Sequence, residues 1–457
     1  MRWAGGSLFL TLVLVSSASL RGATPASVEE AVAMAQLQNP ELEIARRKVD
    51  AARGGLIEAR SGYLPSVVSQ GLVRQREHQT DSRLRDDDYN ASLRVFQSIY
   101  TGGAVRSQVT IAQLNIEKQD YELQALSNRV SMDVRIAFNE LLLNRAKIRV
   151  REQSVGVLQE ELKTQEERLG AGIVGSLNVR RAEVALANEE PELIDANTQL
   201  KNSYLRLGEL LGTDLQFATV DATGELQYRP RHPDLNECLA RADVTRPEIK
   251  AREKDVEIED RQETLDRSTL RPQIEVFSGY EIYNERDPEV GRELNHGYVV
   301  GLNARWHIFD GLATRGRLQA TRARRDAAVK TLEATRRSVA SEVRSAFLDM
   351  QQADHVLESE TKNVQTADES LEIAKGNLGA GLGTQLDVLQ AATDVTRTKT
   401  TRLSAIYLHN VALARLARAC AVNPDELEFK GNISEGKKKR EEQVVDLARP
   451  PSKLTQK

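Results

Sequence analysis

The sequence predicts a mainly α-helical fold with a small β part, built twice over. Each copy is a strand pair followed by a long helical hairpin. Three observations predict it. A twelve-residue Gly-rich stretch at 168–179 returns at 377–388, 209 positions on. Apolar residues step by seven into and out of both copies. Between the helical patterns, short segments change to a period of two.

The composition fits that class. Of 457 residues, 40% are hydrophobic and 28% charged, but only 4% are aromatic. Few aromatics with abundant Ala, Leu, Glu, Gln and Arg favour long helices over one thick core. The net charge of −4, without a basic stripe, speaks against nucleic-acid binding. Arg2, an apolar run at 7–15 and small residues at 16–18 predict a signal peptide over 1–18. That run is too short to span a bilayer, which takes roughly 20 residues. No later stretch is long and apolar enough, so an exported chain is either soluble or crosses a membrane as strands.

The first repeat is expected over 26–215. Residues 28–38 read as a helix, with Asn39 capping a second one that opens on Pro40. Leu42, Val49, Leu56 and Tyr63 step by seven along it, and Pro65 ends it. A strand pair follows over 66–100, with a polar turn at 78–88. Tyr89, Ala91, Leu93, Val95 and Ile99 share one strand face; Asn90, Ser92, Arg94 and Ser98 share the other. Thr101-Gly102-Gly103 closes the pair.

A helical hairpin is then expected over 103–212. Val134, Leu141, Ile148, Val155, Leu162 and Leu169 recur every seven residues, which implies left-handed supercoiling against a neighbour. Such a helix is about 100 Å long. The Gly-rich stretch makes the reversal, because Gly reaches the left-handed conformations that end helices. Val179, Leu186, Leu193, Leu200 and Leu207 carry the step back. Pro191 predicts a kink or an early-turn position.

After a linker at 216–235, with Pro230 and Pro233, the plan recurs over 236–424. Arg246-Pro247-Glu248-Ile249 mirrors Asn39-Pro40-Glu41-Leu42, and Pro272 mirrors Pro65, both 207 positions on. The second strand pair is expected over 273–309. In its first strand Ile274, Val276, Tyr280 and Ile282 alternate with polar residues. In its second, Tyr298, Val300, Leu302, Ala304, Trp306 and Ile308 share a face. The second hairpin is expected over 311–421, with Val343, Met350, Leu357, Val364, Leu371 and Leu378 as its ladder. Residues 432–457 are polar, include a Lys438-Lys-Lys-Arg run, and read as a disordered tail.

The apolar strand faces either cover a soluble core or face lipid. Tyr298 and Trp306 stand eight residues apart on one face, ~26 Å along a strand and ~20 Å across a membrane once tilted, near the height between aromatic girdles. With Tyr89 they are the girdle candidates. The opposite face is polar, as a wet lumen requires. A transmembrane β part of four strands cannot close a barrel, since about eight is the smallest bacterial case. Its edges must pair with other copies of the chain.

Taken together, the signal segment, the duplicated plan, Asn39-Pro40-Glu41-Leu42, Leu64-Pro65, Tyr100-Thr101-Gly102-Gly103, Phe309-Asp310-Gly311 and the two tips ending in Leu-Asn-Val and Leu-Asp-Val resemble TolC-like outer-membrane efflux proteins over roughly 26–424. The resemblance implies a homotrimer with a twelve-stranded β-barrel in the outer membrane, continued by an α-helical tunnel in the periplasm. It implies an exit duct for efflux or type I secretion, docked to a periplasmic adaptor protein and an inner-membrane transporter.

The resemblance also places candidate residues. Adaptor contacts fall at Arg168, Leu169, Gly170, Gly172, Ser176 and Leu177 in the first tip. In the second they fall at Leu378, Gly379, Gly381, Thr384 and Leu386. Asn377 replaces Arg168 there, so the two grooves differ. A pore gate is implied at Asp387, with Asn178 as its first-repeat counterpart and Gln390 one turn on, where the family pattern often has an acid. Symmetry would gather the Asp387 carboxylates into a ring that attracts cations. The alternative is that the glycines only make the turn and Asp387 only caps a helix.

Other motifs lead elsewhere and fail. Gly170-Ala-Gly-Ile-Val-Gly175 has dinucleotide-binding spacing but follows a helix rather than a strand. Six scattered histidines form no metal or catalytic cluster, which disfavours an enzyme and implies no cofactor. Cys238 and Cys420 either pair in an oxidising compartment or stay as two buried thiols. The rival to a channel is a structural periplasmic coiled-coil protein.

Overall fold

The computed structural model describes residues 25, 27–75, 87–213, 224–284 and 294–422. The expected signal peptide, most of the polar turn and the C-terminal tail lie outside them. The first half is α1 (Val28–Gln38), α2 (Pro40–Ser61), β1 (Ser66–Gln75), β2 (Asp87–Tyr100), α3 (Ala104–Gly170) and α4 (Ser176–Leu211). The second is α5 (Leu235–Thr245), α6 (Pro247–Ser268), β3 (Gln273–Asn284), β4 (Leu294–Arg305), α7 (Ala313–Gly379) and α8 (Gln385–Ala419). The halves match closely. Both α1 and α5 have 11 residues, α2 and α6 have 22, and α3 and α7 have 67.

The same contacts hold the start of each half. Asn39 accepts from the Leu42 N–H and donates to the Leu210 carbonyl at 2.8 Å. In the second half Arg246 takes that place and donates to the Arg418 carbonyl at 3.1 Å. Its guanidinium also pairs with Glu248 and Glu342. Each half has its own core. Leu42, Val134, Leu141, Leu207 and Leu211 form the first; Ile249, Val343, Met350, Leu416 and Cys420 form the second.

All four strands form one antiparallel sheet in the order β1-β2-β3-β4. The halves join at its centre, where Asn90 of β2 pairs with Tyr283 of β3. The long helices pack α4 on α3, α3 on α8 and α8 on α7, so they form a row with α4 and α7 outermost. Both layers therefore have two open sides.

The centre of the sheet, β2 and β3, hides its polar face, while β1 is exposed on both faces. Leu93, Val95, Ile99, Tyr280, Val300 and Leu302 are exposed, while Ser92 is 6% exposed and Arg94 is half-buried. Beneath them Arg94 pairs with Glu281, and the Phe96 and Phe277 rings lie 6.0 Å apart. Among the described residues no helix is long and apolar enough to cross a membrane.

Several expectations need correction. Asp87 and Asp88 belong to β2 rather than to the turn. Arg74 pairs with Asp88 across the β1–β2 ladder, which extends the strands. In the other direction β4 stops at Arg305, so Trp306 and Ile308 stand beyond the strand. The seven-residue ladder of α3 is buried at Val134, Leu141 and Ile148, but Leu169 is exposed. Towards the tip Ser154, Leu158 and Gln165 are buried instead, because α8 rather than α4 takes over that face. Finally, Pro191 lies well inside α4 rather than in an early turn, and the helix continues past it. Arg151 of α3 holds Glu189 at 2.9 Å and Glu192 at 3.0 Å, on either side of the proline.

The inter-repeat linker at 224–234 docks on the second hairpin. Tyr228 donates to Asp354 Oδ1 at 3.1 Å. His409, fully buried, holds its Nδ1 2.7 Å from that same oxygen and its Nε2 3.1 Å from the Arg229 carbonyl.

Candidate functional site

The two tips are built alike. In the first, Gly172 adopts φ 71°, and the Ile173 N–H closes back on the Arg168 carbonyl at 2.9 Å. In the second, Gly381 adopts φ 75°, and Leu382 closes on the Asn377 carbonyl at 2.8 Å. This is the 6→1 closure that ends helices in a left-handed residue, and Gly meets it without steric cost. Gly170, Gly172, Gly379 and Gly381 are exposed, with no atom near the place a Cβ would occupy.

The helices leaving the tips start differently. Gly175 precedes α4 without a side-chain cap. Thr384 precedes α8 and forms a capping box with Asp387. Asp387 Oδ2 accepts from the Thr384 N–H at 2.8 Å and from its hydroxyl at 2.7 Å. Those bonds, the backbone one first, hold the Asp387 carboxyl below the usual carboxylate range. Asp387 and Gln390 are exposed, and Asn178 is half-buried. The capping role expected as the alternative for Asp387 is thus present in a single chain.

Gln385 ties the tips together, donating from Nε2 to the Asn178 carbonyl at 2.9 Å. Gln165 of α3 and Gln385 of α8 are both buried, each with an Oε1 that accepts no hydrogen bond. Below them Leu371, Val388, Ala392 and Val395 form an apolar cluster, and Leu378 packs against it.

The other tip candidates face outward. Leu169, Leu177 and Leu386 are exposed, as are Ser176 and Thr384, while Arg168 and Leu378 are half-buried. Ile173 and Leu382, at equivalent turn positions, are 67% and 83% exposed and were not among the expected contacts. An apolar residue inside a Gly-rich turn was the signal that could have found them. The buried Gln165 and Gln385 were missed because a glutamine in a heptad pattern reads as surface.

The girdle candidates spread along the sheet. Tyr298 is 85% exposed on β4. Trp306 is exposed just past β4 and donates from Nε1 to the Leu270 carbonyl at 3.0 Å. Tyr89, near the start of β2, is exposed and level with Leu294 rather than with Tyr298.

An open sheet with its apolar side chains outward is thus joined to an open row of helices with paired tips. The chain belongs to the outer membrane efflux protein family, whose model matches residues 31–213 and 238–422. That family places it at the outer membrane. The chain is 26% identical over 229 residues to the alkaline protease secretion protein AprF of Pseudomonas aeruginosa, covering 48% of this chain and 47% of AprF. To the cobalt-zinc-cadmium resistance protein CzcC of Cupriavidus metallidurans it is 24% identical over 289 residues, covering 63% of this chain and 64% of CzcC. The match thus spans about half of AprF and just under two thirds of CzcC. The fold matches the solved outer-membrane channel OprN with a TM-score of 0.76 at 19% identity, covering 87% of this chain and 90% of that one.

Proposed function

We propose that the chain is one third of an outer-membrane channel-tunnel, a passive exit duct for a tripartite efflux or type I secretion system. The observation that carries this reading is the inverted sheet. On the central strands Leu93, Val95, Tyr280 and Ile282 are exposed, while Ser92, Arg94 and Glu281 on the opposite face are buried or half-buried. A soluble sandwich would bury the reverse. Exposed apolar patches of this extent mark a membrane or partner surface, and a barrel wall has an apolar outside and a wet inside.

Four strands with bare edges at β1 and β4 close only by pairing with further copies. Three copies give the twelve-stranded barrel that the family resemblance implies. The helical rows then close as β4 meets β1, with α7 beside the next copy's α4, into a tunnel that runs into the periplasm. A periplasmic adaptor docks at the tips, where exposed glycines and the apolar Ile173, Leu177, Leu382 and Leu386 offer close packing. The inner-membrane transporter supplies the energy and selects the cargo. A protease-secretion protein and a metal-resistance protein both resemble this chain, which fits a cargo-tolerant wall. The duct performs no catalysis.

Electron microscopy of detergent-extracted protein tests this. The expected particle is a three-fold tube with a helical part ~100 Å long. Compact particles that stay dispersed without detergent would instead support the structural coiled-coil alternative.

A further inference from the structure

The chain has two cysteines, 182 positions apart, and the fold places them against each other. Cys238 lies in the first turns of α5, and Cys420 caps the end of α8. Both side chains are fully buried. The thiols are unlinked in the structure and belong to one buried cluster. Around them lie Ala242, Ile249, Leu416 and Ala419. The Cys420 carbonyl also accepts from the Thr245 hydroxyl at 3.4 Å, which holds the end of α8 on α5.

The first half shows what this contact is without sulfur. The positions equivalent to Cys238 and Cys420 are Ala31 and Leu211, both fully buried in the first core. The duplicated contact is therefore an apolar pair in one half and a thiol pair in the other. Both members differ together, as a covalent link requires. Two independent buried thiols would not need to share one contact.

We propose that Cys238 and Cys420 are joined by a disulfide in the mature protein, a clasp that fastens the start of the second half to the end of α8. The inference rests on the channel reading, which puts this end of the helices in the periplasm, where thiols are oxidised.

The chemistry balances with an oxidised dithiol carrier as co-reactant. The Cys238 thiolate attacks the carrier's disulfide, forming a mixed disulfide and expelling one carrier thiolate. The Cys420 thiolate then attacks Cys238 Sγ and expels the second. Two protein thiols and one carrier disulfide become one protein disulfide and one carrier dithiol. Because both sulfurs are buried in the folded chain, exchange takes place before α5 closes on α8.

The test uses full-length protein from the outer-membrane fraction, prepared without reductant and alkylated in denaturant. Digestion and mass spectrometry should give a linked peptide pair containing Cys238 and Cys420, with neither cysteine alkylated. A second variant controls for packing: Cys238→Ala with Cys420→Leu restores the apolar pair of the first half. Wild-type protein should melt a few degrees above this variant, and reductant should erase the difference while leaving the variant unmoved. Two alkylated cysteines, or a wild-type midpoint indifferent to reductant, would overturn the proposal. Linked peptides from a chain found outside the outer-membrane fraction would overturn the channel reading and leave the clasp standing.

Discussion

The side-chain amide of Gln385 donates to the backbone carbonyl of Asn178 at 2.9 Å, joining tips that are 207 residues apart in the chain. It is a contact between the two halves at the far end of the helices. Its loss should loosen one tip against the other while leaving both hairpins folded.

Gln385→Ala removes that donor and the bond between the tips, a loss of about 1 kcal/mol. Amide exchange at residues 176–179 should speed up by roughly fivefold or more. Exchange in the cores around Leu141 and Val343 should not change. Hydrogen exchange read by mass spectrometry checks both.

Asp387 serves two purposes under the proposed function, and pH separates them from an ordinary carboxylate. Its folded pKa is depressed by the Thr384 donors. The capping stabilisation is therefore fully present above the usual carboxylate value, about 3.9, and fades as pH falls through the lower folded value. Channels in a planar bilayer should prefer cations near neutral pH and lose that preference in acid, as the ring of carboxylates protonates. Asp387→Ala should abolish that preference and fray the start of α8. Unchanged ion selectivity in the variant would argue against a carboxylate ring.

Gly212 and Ala421 occupy equivalent left-handed positions, at φ 70° and 53°. A Cβ on Gly212 would sit 2.5 Å from the Gln38 carbonyl oxygen. Gly212→Ala should therefore cost about 2 kcal/mol or more, and Ala421→Gly should gain about 1 kcal/mol. Thermal midpoints moving in opposite directions would establish this.

His409 anchors the linker through Asp354 and the Arg229 carbonyl. His409→Leu removes both interactions and leaves Asp354 with Tyr228. Limited proteolysis should cut within 224–234 many times faster in the variant than in the wild type. Equal cutting would mean that Tyr228 and the Asn410 bond to the Gln227 carbonyl hold the linker unaided.

What could be read from the sequence was what local chemistry decides. Asn39-Pro40 marks a helix start because its cap and first turn need nothing beyond their own residues. The glycines at 172 and 381 mark reversals for the same reason. Legibility ended where a distant neighbour chooses. The buried stripe of α3 moves to Ser154 and Gln165 because α8 lies against it, and no pattern within α3 announces α8. Trp306 continued an alternating face by spacing alone, although the ladder that defines β4 had stopped at Arg305. Gln385 looked like surface, because only the Asn178 carbonyl gives its amide a partner.

The pairing of Asn90 with Tyr283 sets the order in which this protein is made. β1 and β2 pair residues close together in the chain, and α4 folds back on α3 at once. The β2–β3 ladder must wait until nearly two hundred further residues have been synthesised. Closing so long a loop is slow, and contacts of high sequence separation reward the chain last. During that interval the nascent first half carries two bare strand edges and an oily face with no lipid to receive it. Such species aggregate unless something holds them. The centre of the sheet is thus also the point of greatest danger in biogenesis, and a destabilised β2–β3 ladder should lower yield before it alters any property of the finished molecule.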